Sequence, residues 1–144
     1  MNAYEHFFTS AQKAWRRVRA HILGANVHYN KGRRLFHQGH FDEAIKEFEE
    51  VCRIDPKNEW APLAMGIISE AKKDFAGALG YYEKAIAFSP HFAQAFLGKG
   101  QSLAALNRPA EAIEAYRKFL EYTEPADNEQ IAFAKNEIER LEQK

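Results

Sequence analysis

The chain has 144 residues, 46% of them hydrophobic, and its 20 basic side chains balance 20 acidic ones. This length predicts one domain, and zero net charge argues against a dedicated nucleic-acid binder. No apolar run reaches the roughly 18 residues of a membrane span, and a single cysteine excludes an intramolecular disulfide. These features favour a cytoplasmic protein, and they leave open whether the chain is part of a longer one.

Residues 1–24 are predicted to form a basic amphipathic helix that ends at Gly24. Apolar residues recur at steps of four and three and therefore share one stripe: Tyr4, Phe8, Ala11, Trp15, Val18 and Ile22. The cations Arg16, Arg17 and Arg19 lie on other faces. Three interpretations stay open. The stripe packs on the next helices as a cap, lies on an anionic membrane surface, or pairs with a second copy or a partner helix.

From residue 25 onward the sequence repeats with a fixed period. Gly32, Gly66 and Gly100 are 34 residues apart, and each is followed 12 residues later by an alanine. An aromatic column keeps the same register, and it consists of Phe48, Tyr82 and Tyr116. A period in this range is typical of a repeat array. The glycines and alanines are expected to let paired helices approach closely, and the aromatics to fill the gap between neighbouring units.

Within each copy, apolar residues three or four apart predict two helices joined by a tight turn. Gly39 and Asn107 stand where a left-handed residue would end the first helix, whereas Lys73 at the same place predicts a strained turn. Asp74 is a good N-cap for a second helix, and Pro109 suits a first helical position. On the second helix of the first copy, we interpret a run of three acidic residues as a solvated face: Glu47, Glu49 and Glu50.

This pattern resembles the tetratricopeptide repeat, a 34-residue helix–turn–helix unit. The resemblance covers three copies, at residues 25–58, 59–92 and 93–126, and residues 127–144 resemble the charged helix that caps many such arrays. It implies an all-α fold, an α-solenoid of antiparallel helix pairs in a right-handed superhelix. The chain carries no phosphate-binding loop, dinucleotide fingerprint or metal-ligand motif, so we expect no enzyme activity, no cofactor and no metal.

In the tetratricopeptide repeat family, the first helix of each unit lines a concave face that receives an extended peptide or a helix. Carried over by register, the resemblance implies a protein partner in a groove lined by Asn26, Tyr29, Arg33, Phe36, Trp60, Leu63, Ile67, Glu70, Gln94, Leu97 and Gln101. Tyr29, Arg33 and Trp60 are the expected anchors, because Tyr, Arg and Trp are common binding hot spots. Packing within the chain is the alternative for each.

Chaperone-binding members of the family use a clamp of Lys, Asn and Arg on a C-terminal carboxylate. The corresponding places here hold Tyr29, Arg33, Ala64, Gln94 and Gly98, and a single cation does not make a clamp. The resemblance thus predicts that the chain is not a clamp of the Hsp70/Hsp90 type. Two functions remain. One is an adaptor that binds a partner protein in its groove, and the other is a peripheral membrane or self-assembling scaffold that uses residues 1–24.

Overall fold

The computed structural model describes the backbone of residues 3–126 and 128–144, and the side chains of residues 12–126 and 129–144. These residues form seven helices and no strand, which confirms the all-α class. The helices are α1 (Ala3–His37), α2 (Phe41–Ile54), α3 (Trp60–Ala71), α4 (Phe75–Phe88), α5 (Ala93–Ala105), α6 (Pro109–Tyr122) and α7 (Asn128–Glu142). Helices α1 and α2 form one compact unit, and α3 to α7 form a second.

Helix α1 runs without a break through Gly24, so the prediction that Gly24 ends a separate helix is wrong. A glycine inside a helix costs only about 1 kcal/mol relative to alanine, which a long helical pattern on both sides can offset. A Cβ placed at Gly24 would lie 3.6 Å from Ile54 Cδ1, an ordinary contact. Because Ile54 is the last residue of α2, α1 continues N-terminally past the end of α2.

In the first unit, α1 packs on α2 through a glycine and an aromatic ring. A Cβ at Gly32 would lie 3.0 Å from two ring carbons of Phe48, whose side chain is fully buried. The ring of Tyr29 meets Phe48 edge-on, with centroids 5.3 Å apart. A side chain at position 32 would require the ring of Phe48 to shift by a few tenths of an ångström, so glycine suits this close approach.

The second unit repeats that contact twice. The ring of Tyr82 lies against Gly66, and the ring of Tyr116 lies against Gly100. Each aromatic residue therefore packs on the glycine of its own repeat, a contact that the prediction of filling the gap between units did not include. Tyr82 also packs on the following repeat, because a Cβ at Gly98 would lie 2.4 Å from the Cζ atom of Tyr82.

Helix α7 completes the core of the second unit. Ala134 and Leu141 are buried, and Ile131 and Ile138 pack against the same cluster. This confirms the apolar face predicted for the C-terminal helix. Phe119 of α6 belongs to that cluster and is 0% exposed.

Three helix–helix turns share one backbone geometry. The second residue after the first helix of each pair has a positive φ, with values of 80° at Gly39, 61° at Lys73 and 57° at Asn107. The following amide bonds the carbonyl five residues earlier, as from Asp74 to Ser69 at 2.8 Å, which is the Schellman pattern. The predicted left-handed positions are confirmed, and Lys73 occupies its place at a steric cost that glycine avoids. Asp74 also caps α4, because its side chain accepts from the Gly77 amide at 2.9 Å.

Candidate functional site

The second unit contains a groove of about 280 Å³ beside α3 and α5, which we call the α3–α5 groove. It is lined by Leu63, Ile67, Glu70, Tyr82, Gln94, Leu97, Gly98, Gln101 and Gln130. Six of these belong to the set that the family register assigned to a partner: Leu63, Ile67, Glu70, Gln94, Leu97 and Gln101. The structure therefore brings together the predicted residues of the second and third copies, with the exception of Trp60.

The apolar surface of the groove consists of two buried leucines and one exposed isoleucine. Leu63 and Leu97 are 8% and 7% exposed and belong to the core of the unit. Ile67, one helical turn after Leu63, is 43% exposed. A partner would therefore gain most apolar contact at Ile67, because the two leucines are already largely removed from water.

Three glutamine amides give the groove its hydrogen-bonding capacity. Gln94 of α5 donates through Nε2 to Gln130 Oε1 of α7 at 2.8 Å. Gln101 lies two helical turns after Gln94 and is half-buried. An amide both donates and accepts, so this wall can serve the N–H and C=O groups of a peptide backbone without adding charge.

Glu70 places a carboxylate in the groove. Its Oε1 atom accepts from the buried Ser102 hydroxyl at 2.8 Å, and it also accepts from the Tyr82 hydroxyl. Burial raises the pKa of Glu70, and the two hydroxyl bonds only partly oppose this effect. Burial and the nearby charge of Glu70 also raise the pKa of Tyr82, so Tyr82 stays a donor across the physiological range.

Gly98 is one of the five positions compared with the clamp of chaperone-binding relatives, and the ring of Tyr82 lies against it. The closest approach of an added Cβ to that ring would be 2.4 Å. No longer side chain fits at position 98 unless Tyr82 moves. The polar groups on this side of the groove are therefore those of Tyr82, Glu70 and the glutamine amides.

The predicted residues of the first copy lie in the other compact unit, on α1. Asn26 and Arg33 are exposed, and Tyr29 and Phe36 are half-buried. Burial raises the pKa of Tyr29, and Phe36 packs against Phe41 with centroids 5.8 Å apart. Part of each aromatic surface is thus already used within the unit, and the binding role of these four residues stays a prediction.

Trp60, the third expected anchor, opens α3 and is 49% exposed. Its ring meets Phe92 edge-on, with centroids 4.8 Å apart. It does not line the α3–α5 groove. Its half-exposed ring keeps surface for a partner, so its role as an anchor also stays a prediction.

Within the described side chains, the apolar stripe in the N-terminal part of α1 is exposed to solvent. Trp15, Val18 and Ile22 are 73%, 50% and 55% exposed, so this part of the stripe does not pack on α2 as a cap. The cations of the other faces are exposed as well: Arg16, Arg17 and Arg19. The predicted contact residue Phe8 lies outside the side chains that the structure describes.

Three groove residues were not predicted as members of the site: Tyr82, Gly98 and Gln130. Gln130 lies in the C-terminal helix, beyond the three copies, so the repeat register assigned it no place in the groove. Tyr82 was assigned to the core, where its ring does lie, but its hydroxyl reaches Glu70. The signal that could have found Tyr82 is the hydroxyl itself, because a buried tyrosine usually needs a polar partner.

The acidic run on α2 is only partly a solvated face. Glu47 accepts hydrogen bonds from Lys31 Nζ at 2.5 Å and from His28 Nδ1 at 2.6 Å, and its side chain is 15% exposed. Glu49 is exposed, and Glu50 pairs with Arg53 at 2.8 Å on the surface. The interpretation of Glu47 as solvated is therefore wrong, because two residues of α1 lie opposite it.

Replacing Glu47 by glutamine is expected to lower the free energy of unfolding at pH 7 by about 1 kcal/mol. Hydrogen bonds from Lys31 and then His28 hold the pKa of Glu47 below its ordinary value. This stabilisation is present above the unfolded-state pKa and is lost as the pH falls through the folded-state pKa. Urea unfolding at pH 7 and below pH 4 measures it, with Glu49→Gln as the exposed control. An equal difference between wild type and variant at both pH values would contradict the assignment.

In the described parts of the chain, no group of three His, Cys, Asp or Glu side chains could hold a metal ion. Of the helices described here, none has the length and apolar character needed to cross a membrane.

Comparison with protein families gives two matches. Residues 25–58 match a model described as "Tetratricopeptide repeat", and residues 63–129 match a second model with the same description. Together they cover the three predicted copies except residues 59–62, and they reach the beginning of the C-terminal helix.

Individual relatives agree with the family models. The chain is 32% identical over 126 residues to "RNA polymerase II-associated protein 3" of Rattus norvegicus, which is 88% of this chain and 18% of that protein. The chain thus spans about a fifth of the length of this relative.

Solved structures show the same fold. A structure described as "First TPR of Spaghetti (RPAP3) bound to HSP90 peptide SRMEEVD" is 29% identical, with a TM-score of 0.75, and the match covers 84% of this chain and 92% of that one. The first TPR domain of human RPAP3, also 29% identical, has a TM-score of 0.73 over 83% of this chain and 91% of that one.

The prediction that excluded chaperone peptides of the Hsp70/Hsp90 type is wrong, because a domain similar to nearly the whole chain binds an Hsp90 peptide. The prediction rested on five register positions. An extended peptide is held along its length by backbone contacts and by several side-chain pockets. The absence of a Lys, Asn and Arg set at five places therefore does not decide whether such a peptide binds.

Proposed function

Because this chain belongs to the tetratricopeptide repeat family, we propose that it is a non-catalytic adaptor module that receives an extended segment of a partner protein in the α3–α5 groove. The observation that carries the proposal is the groove itself, where six residues predicted from the family register line one cavity. A concave site with an apolar floor and a few polar groups is the usual form of a binding site.

The chemistry of the lining favours an extended peptide. The amides of Gln94, Gln101 and Gln130 offer donors and acceptors to a peptide main chain. Ile67 offers exposed apolar surface to a side chain that points towards α3. Main-chain bonds would supply affinity, and the pockets for side chains would supply specificity.

The partner we propose is a protein with an acidic C-terminal segment like that of Hsp90. The similar domain described with the peptide SRMEEVD supports this choice. The contacts in this chain must differ from those of a Lys, Asn and Arg clamp, because glutamine and glycine stand at two of the clamp positions, Gln94 and Gly98. The comparisons give no support to a membrane role for residues 1–24, and self-assembly through the exposed stripe of α1 stays a prediction.

Fluorescence polarisation with labelled SRMEEVD tests the proposal. We expect the wild type to bind the peptide, and the double variant Ile67→Ala/Gln101→Ala to bind it about tenfold more weakly, a loss of about 1.4 kcal/mol. The matched control is Phe88→Ala/Gln143→Ala, which also removes one exposed apolar side chain and one amide, but outside the groove. Equal weakening in both variants would contradict the groove assignment, and no binding to the wild type would contradict the choice of peptide.

A further inference from the structure

The α3–α5 groove carries a single formal charge. Of the nine described residues that line it, Glu70 alone is charged at neutral pH. Glu70 lies near the end of α3, one helical turn after the exposed Ile67. Any peptide in the groove therefore meets a negative charge on a wall that is otherwise apolar or uncharged.

The described partners of Glu70 do not neutralise it. Ser102 and Tyr82 are hydroxyl donors without charge, at 2.8 Å for Ser102. A carboxylate has about four acceptor positions, so two hydrogen bonds leave capacity for a further donor. The raised pKa of Glu70 has desolvation as its largest cause, which means that the charged form is under-compensated in the folded protein.

A cation of the ligand would compensate the negative charge of Glu70. A charge-assisted hydrogen bond to a carboxylate is roughly twice as strong as a neutral one, and it is stronger still in a partly desolvated site. Acidic side chains of a ligand, in contrast, are repelled from this position. In a peptide such as SRMEEVD the two glutamates must then lie away from Glu70, and the arginine is the side chain of complementary charge.

We propose that Glu70 determines the specificity of the α3–α5 groove by pairing with a lysine or arginine side chain of the bound peptide. This inference rests on the proposed function, since it assigns the chemistry of one position in the same groove. Glu70 also holds Ser102 and Tyr82 in place. Glutamine keeps the shape of this side chain and one acceptor oxygen, and its amide nitrogen can donate to a hydroxyl oxygen, so the exchange removes the negative charge that a ligand cation would use.

The test measures binding of SRMEEVD and of SAMEEVD, in which alanine replaces the arginine, to the wild type and to Glu70→Gln. We expect the wild type to bind SRMEEVD about tenfold more tightly than SAMEEVD, because a charged hydrogen bond is lost. In Glu70→Gln we expect the two peptides to bind within about twofold of each other. Glu114→Gln is the control, because it removes an exposed carboxylate of the same unit that lies outside the groove.

The outcomes separate the two proposals. If both peptides bind the wild type with equal affinity, or if Glu70→Gln keeps the full preference for arginine, the role of Glu70 is overturned while the groove proposal stands. If neither peptide binds the wild type, the proposed peptide partner is wrong and the role of Glu70 fails with it. Loss of the preference in Glu114→Gln as well would show a general charge effect and would also overturn the role of Glu70. Urea unfolding of Glu70→Gln is expected to match or exceed the stability of the wild type at pH 7, which shows that the fold is kept.

Discussion

Alanine at position 98 is expected to lower the free energy of unfolding by about 1–2 kcal/mol, although alanine normally favours a helix over glycine. The added Cβ would lie 2.4 Å from Cζ of Tyr82, and other ring carbons lie almost as close. That ring is 1% exposed and also lies against Gly66, so a movement of the ring away from position 98 would disturb a second packed contact. Urea unfolding followed by far-ultraviolet circular dichroism measures the loss.

Gly80→Ala is the matched control, because it makes the same change in the interior of a helix with open space around the new Cβ. It is expected to raise stability by about 0.5–1 kcal/mol. The Tyr82→Leu background removes the ring carbons that meet position 98. In that background, Gly98→Ala should lower the free energy of unfolding by at least 1 kcal/mol less than it does in the wild type. Equal costs in the two backgrounds would show that the Tyr82 ring is not what excludes a side chain at position 98.

Replacing Phe119 by alanine is expected to lower the free energy of unfolding by about 3–5 kcal/mol, the largest loss that we predict. Phe119 is 0% exposed and lies in the cluster that joins α6 to the cap helix α7. Two effects add up in this loss. The variant no longer gains the free energy of burying an aromatic ring away from water, and a cavity remains between two helices. Thermal and urea unfolding of the variant measure it.

Phe88→Ala provides the comparison for Phe119, since the same ring is removed from a side chain that is 47% exposed. Its cost is expected to stay below about 1 kcal/mol, because water already covers much of the ring. Similar costs at the two positions would mean that α7 does not close the core as the structure describes.

The helices and turns of the repeats could be predicted because their determinants are local or periodic. The turn at Lys73 shows this well. Glycine and asparagine at the equivalent positions indicated a left-handed residue, and Lys73 has that conformation despite its side chain. The apolar positions of α7 were predicted for the same reason, since helical spacing alone places Ala134 and Leu141 on one face.

The end of the N-terminal helix was predicted wrongly because a glycine can either end a helix or lie inside one. Gly39 ends α1 with a φ of 80°, whereas Gly24 lies inside the same helix. The difference depends on the partner. Gly24 faces the end of α2 at Ile54, and no property of the neighbouring sequence identifies that contact.

Six residues of the groove lining were predicted, but the chemistry of the groove was not. Register alone places Leu63, Leu97 and Gln101 on one face. The pairing of Gln94 with Gln130 and the bonds from Ser102 and Tyr82 to Glu70 join residues on different helices. These contacts depend on how the helices pack, so single columns of the repeat cannot indicate them.

The continuity of α1 has a mechanical consequence. A helix rises about 1.5 Å per residue, so the 35 residues of α1 span about 52 Å, far more than the 14 residues of α2 that it packs against. The indole of Trp15 stands about 14 Å along the axis from Gly24, and no turn interrupts the helix between them. The segment therefore acts as a stiff arm. A molecule attached to it is held at a fixed distance and bearing from the α1–α2 pair, as it would not be on a flexible tether.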